Sequence, residues 1–115
     1  MSGEEKMKDK FLSMLGLCRR AGKLIWGFDQ VIEAVKEGKA IGIIVACDIS
    51  DKTLKNIKFE TDKKGLEILR TEIPQEELSF YAGVRAGVYA VTDKGFFKRL
   101  TELNVGEQSG KDTEN

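Results

Sequence analysis

The stretch Arg19, Arg20, Ala21, Gly22, Lys23, Leu24, Ile25, Trp26, Gly27, Phe28, Asp29, Gln30 holds the residue types best suited to gripping a ligand. Three cations and two glycines surround the expected start of a helix, where unsatisfied backbone N–H groups attract anions. Gly27 has no Cβ and lets a phosphate or a base approach the backbone. Asp29 and Gln30 set polar heads beside it that can hydrogen-bond base edges. The bland alternative has Asp29 capping the helix and Trp26 packed beneath it, and packing is the expectation for Trp26 itself. The chemistry on offer is anion and base recognition.

Catalytic signatures fail in turn. Histidine is absent, which removes Ser-His-Asp and Cys-His catalysis, His-ligated zinc or haem, and imidazole acid–base work. Cys18 and Cys47 stand 29 positions apart, without the close pairing of zinc or redox motifs. Both lie in apolar runs and are expected to be buried. Gly106 to Lys111 has three residues between its glycines where a phosphate-binding loop needs four, and Asp112 follows instead of Ser or Thr. Gly83, Gly87 and Gly95 do not form a dinucleotide fingerprint. Glu76 and Glu77 are adjacent on a helix, so they diverge. Asp48 and Asp51 flank the end of a central strand, where ligands bind in open α/β sheets, yet capping of the next helix is the expectation. No metal, cofactor or enzymatic activity is expected.

Net charge is zero, from 19 basic and 19 acidic residues, but the distribution is uneven. Lys6 to Lys23 holds six cations against Asp9, while Thr101 to Asn115 holds four acids against Lys111. A neutral total can therefore conceal a positive face. No apolar run approaches the ~20 residues of a membrane span, and Met1 to Glu5 lacks the order of a signal peptide. A cytoplasmic protein without membrane contact is expected.

Helix and strand signals alternate along the 115 residues, a length that suits one domain. Met7, Phe11, Met14, Leu15 and Cys18 share one helical face, and Gly22 can close that helix. Lys23 to Trp26 is a short strand, and Phe28, Val31, Ile32 and Val35 return to helical spacing. Ile41 to Cys47 is apolar on both faces, as a central strand should be. Ser50 can cap a helix running to about Lys64, followed by a strand from Leu66 to Arg70. Pro74 suits the first position of a helix over Gln75 to Ala82. Val88 to Val91 is the last strand, and Asp93 can cap a final helix carrying Phe96, Phe97, Leu100 and Leu103. The alternation predicts an α/β protein, a single-domain three-layer α/β/α sandwich with a central mixed sheet of about four strands. Residues 1–104 form the domain, and residues 105–115 read as a flexible polar tail by composition.

Leu15 to Lys23, Gly27, Val35 to Ala40, Ile43 to Asp48 and Asp93 to Leu100 together resemble the ribosomal protein L7Ae/L30e family, most of all its small bacterial branch. The resemblance covers about residues 8 to 100. It implies an α/β/α sandwich that binds kinked RNA, in many members the kink-turn, without catalysis. The family's Gly-x-Asn-Glu element falls on Gly27, Phe28, Asp29 and Gln30, and its second loop on Leu78 to Gly83, followed by Val84 and Arg85. The implied RNA-binding residues are Lys23, Gly27, Phe28, Asp29, Gln30, Ser79, Phe80 and Arg85. Lys23 and Arg85 would contact phosphate, Asp29 and Gln30 would read a base, and Phe80 would cover a base face. Asp29 and Gln30 depart from the family's Asn and Glu, Glu33 stands where a Lys is frequent, and Ser79 replaces a loop glycine. The implied partner is ribosomal or other structured RNA, with the ribosome as a candidate. A protein–protein adaptor on the same scaffold is the alternative.

Overall fold

Apolar periodicity and local stop signals build the elements in the expected order. A computed structural model describes residues 3–104, so the expected tail and the run from Gly106 to Lys111 lie outside the described residues. Five helices and four strands alternate: α1 (Gly3–Arg20), β1 (Leu24–Trp26), α2 (Phe28–Lys36), β2 (Gly42–Val45), α3 (Asp51–Lys64), β3 (Glu67–Arg70), α4 (Gln75–Ala82), β4 (Val88–Val91) and α5 (Lys94–Leu103). The Ser50 hydroxyl accepts the Thr53 N–H at 3.0 Å and starts α3. The Asp93 carboxylate does the same for α5 through the Phe96 N–H at 2.9 Å. Pro74 occupies the capping position of α4, which spans Gln75–Ala82 as expected, with its carbonyl accepting from Leu78.

The sheet order is β1-β4-β2-β3. β2 and β3 run parallel, while β4 lies antiparallel between β1 and β2. Alternate residues divide the interior in two. Leu24, Ile44, Leu69, Tyr89 and Val91 meet α1, α4 and α5 on one face. Ile43, Val45, Val88 and Ala90 meet α2 and α3 on the other. The result is the three-layer sandwich, and β1, β2 and β3 all finish at the same end of the sheet.

Two sequence expectations change here. Cys18 is buried, but Cys47 is exposed, because β2 stops at Val45 and carries the chain off the sheet before Cys47. Asp48 does not cap α3, which Ser50 already caps. It reaches across to α4, where its carboxylate accepts the Gln75 N–H at 2.9 Å.

Burial, and secondarily the Asp93 charge, push the Cys18 thiol up to about 12 from its ordinary 9.0. A native thiol titration at neutral pH should therefore register Cys47 promptly and Cys18 only after unfolding. The raised value means that the folded chain holds this proton more tightly than the unfolded chain. Its stabilisation is intact below pH 9.0 and is lost as pH rises toward about 12. Burial raises Tyr89 in the same direction, opposed by the neighbouring Ser79 side chain. Urea midpoints should fall across this window, and less steeply in Cys18→Ala.

Candidate functional site

Trp26 ends β1, and the next residue turns the chain into α2. The Gly27 N–H still donates to the Val88 carbonyl at 3.2 Å, while its own carbonyl accepts from Val31 at 2.9 Å. Between these bonds Gly27 adopts φ 96 and ψ 142, a conformation that glycine alone enters without strain. No side chain caps α2. The N–H groups of Phe28, Asp29 and Gln30 consequently have no acceptor within the helix and present its positive end. Asp29 is exposed and does not cap, against the bland expectation. Gln30 is also exposed, and its amide oxygen lies 2.7 Å from where a Cβ on Gly27 would stand. Val31, Ala34 and Val35 are buried and aim this helix start.

The second predicted element is held by its own backbone. The Ser79 hydroxyl donates to the Ala86 carbonyl and accepts the Ala86 N–H, both at 3.0 Å. The Tyr89 hydroxyl donates to the same carbonyl at 2.7 Å. These bonds pin the loop of residues 83–87 over the end of α4. Ser79 is thus spent on loop shape rather than offered to a ligand. Ser79→Ala should cost about 1–3 kcal/mol in urea unfolding, since it strips the Ala86 N–H of its partner.

A groove of about 680 Å³ opens beside the loop, lined among others by Asp48, Glu76, Phe80, Val84 and Arg85. Phe80 is 78% exposed and meets Tyr81 edge-on, with ring centroids 5.2 Å apart. Arg85 is exposed, and no carboxylate pairs with it among the described residues. Among the described residues no group of three His, Cys, Asp or Glu side chains could hold a metal ion. No described helix is long and apolar enough to cross a membrane.

The helix start and the loop share one end of the sheet, because the loop delivers Val88, whose carbonyl receives the Gly27 N–H. Gly27, Phe28, Asp29, Gln30, Phe80 and Arg85 thus fall on a common end of the molecule. Lys23 does not join them. Its carbonyl accepts from Thr92, at the opposite end of β4, roughly 13 Å along the strand from Gly27. Within the basic run of α1, Lys8 is paired with Glu77 at 3.0 Å.

Trp26 overturns its packing expectation: it is 37% exposed, with the Arg19 guanidinium 5.4 Å from its ring centroid. Sequence reasoning gave Arg19 no contact. The available signal was the tight turn at Gly22, where φ is 76, which folds β1 back beside the last turn of α1.

The chain is similar to known proteins in sequence and in fold. The chain is 35% identical over 104 residues to the RNA-binding protein YlxQ of Enterococcus faecium, covering 89% of this chain and 98% of that one. It is 31% identical to the YlxQ protein of Bacillus subtilis strain 168, covering 90% and 98%. A solved structure of a Bacillus halodurans C protein with unknown function superposes with a TM-score of 0.77 at 29% identity, over 82% of this chain and 95% of that one. The Giardia lamblia 15.5kD RNA binding protein shares the fold, with a TM-score of 0.69 at 15% identity over 90% and 93% of the two chains. The matching family description spans residues 9–101, which include every strand and the whole of α2, α3 and α4. The chain belongs to the ribosomal protein L7Ae/L30e/S12e/Gadd45 family.

Proposed function

We propose that the chain is a non-catalytic RNA-binding protein of the cytoplasm that recognises kinked, kink-turn-like RNA in ribosomal or other structured RNA. The observation that carries the reading is the uncapped start of α2, held at one end of the sheet beside the loop of residues 83–87. RNA-specific recognition targets irregular, unstacked nucleotides, which need phosphate donors and base-edge partners close together. Free N–H groups at Phe28, Asp29 and Gln30 and the Arg85 guanidinium supply the first. The Gln30 amide can donate and accept, while an ionised Asp29 only accepts, so the pair suits a base edge that offers donors. Phe80 gives an apolar surface for a base face. Lys23, at the far end of β1, serves at most as a peripheral phosphate contact. The names of the YlxQ relatives point the same way.

A gel-shift titration against a kink-turn RNA and a straight duplex, at roughly 50 and 200 mM salt, tests the reading. Tighter, salt-sensitive binding to the kinked RNA is expected. Equal affinity for both RNAs would reduce the surface to a charge patch, and an absence of binding at low salt would remove RNA as the ligand. One observation favours an adaptor in that event: Asp48 and Glu76 line the groove against the single cation Arg85, beside the exposed Phe80.

A further inference from the structure

Trp26 is the sole tryptophan of the chain and closes β1, a strand at the border of the sheet. Across the sheet it stands in register with Tyr89 and, beyond that, Ile44, on the face covered by α1, α4 and α5. Tyr89 and Ile44 are fully buried, whereas the indole projects past the rim of that core. A ring in this position offers apolar surface at the end of the sheet where α2 begins.

Arg19 brings a charge to one side of the ring. Its guanidinium stands over the indole, an arrangement that holds a planar cation in place without neutralising it. Its Nη1 atom lies 3.9 Å from where a Cβ on Gly83 would stand, so one side chain spans from β1 to the loop after α4. No carboxylate pairs with Arg19 among the described residues, which leaves its charge available to an anion. Arg20 does not share this role, since its Nη1 lies by Gly16 instead.

We propose that Arg19 and Trp26 form a seat for one unpaired RNA nucleotide, with the base against the part of the indole that the guanidinium leaves open and the phosphate on the guanidinium. This rests on the RNA-binding reading above and extends it to two residues outside the helix start and the loop. The chemistry is general: every base has a face that stacks on an aromatic ring, and a guanidinium fork matches phosphate oxygens. The seat lies between the two elements already described, so a nucleotide held there joins their contacts.

Because Trp26 is the only tryptophan, its fluorescence reports on this seat directly. Kink-turn RNA titrated into the full chain should quench Trp26 in step with the anisotropy of a labelled RNA. Trp26→Ala should weaken binding about tenfold, and Trp26→Phe should restore most of the loss. Arg19→Ala should weaken binding and flatten its salt dependence by about one phosphate contact. Arg19→Lys should keep the salt dependence while losing part of the affinity, because an ammonium lacks the planar fork.

Replacing the unpaired nucleotides of the RNA by abasic ones should abolish the difference between parent and Trp26→Ala. Binding by the parent without any change in Trp26 fluorescence would overturn the seat and leave the RNA-binding reading intact. So would a Trp26→Ala variant with a lowered urea midpoint and unchanged affinity, which is the signature of a staple between α1 and β1. No binding by the parent would overturn both.

Discussion

Gly27→Val is expected to reduce affinity for kink-turn RNA by more than about tenfold while costing about 1–3 kcal/mol of folding stability. The stability cost comes from the backbone: φ 96 with ψ 142 is open to glycine and strained for any residue with a Cβ. The new atoms would also meet the Gln30 amide oxygen, which must move from beside the helix start. Gln30 has a flexible, exposed side chain, so its displacement costs little folding energy but takes the amide proposed to read a base from its place. Gly38 separates the two effects. It has φ 77 at the other end of α2, with nothing near the position of a Cβ. Gly38→Ala should lower the urea midpoint and leave RNA affinity unchanged. Equal affinity losses in the two variants would trace the effect to general destabilisation and clear Gly27 of a direct role.

The largest effect on folding is expected at Gly42, in the central strand β2. The Phe97 ring of α5 lies on its backbone, and a Cβ there would overlap three ring atoms. Gly42→Ala should cost about 1–3 kcal/mol by overpacking, and Gly42→Val more. For a domain whose whole stability is on the order of 5–15 kcal/mol, valine threatens folding itself. The cause is one ring, so the remedy is specific. Phe97→Leu alone should destabilise through the space it leaves, yet combined with Gly42→Ala the two costs should sum to less than their separate values. Strict additivity in urea unfolding would show that the ring is not what excludes a side chain from position 42.

Gly42 also shows where sequence reading stops. All nine elements of the described residues were legible, because alternating periodicity, Ser50, Asp93 and the glycine stops are local signals. The same holds for the layer architecture and for the helix start at Gly27. What escaped depends on residues distant in sequence. Trp26 looks like core material until the core's rim is known, and its position past that rim is set by α1. Asp48 finds its hydrogen-bond partner 27 residues away, at α4, although Asp51 and α3 are nearer in sequence. Cys47 sits in an apolar run whose last residues lie beyond the strand. Ser79 carries a hydroxyl that could face a ligand, and only the position of Ala86 shows that it faces the loop. Lys23 and Gly27 are close in sequence, and an extended strand separates them.

The placement of β4 between β1 and β2 has a consequence during synthesis. β1 and β2 can find no hydrogen bonds with each other, since the strand that joins them is made after both. A ribosome must add residues 88–91 before the sheet can close, and such distant pairings are the slow part of folding. The Val88 carbonyl that anchors Gly27 arrives at the same moment. A nascent chain therefore cannot assemble this end of the molecule early. On the proposed reading, competence to bind comes only once residues 88–91 have been made, and a product terminated before β4 would lack it altogether.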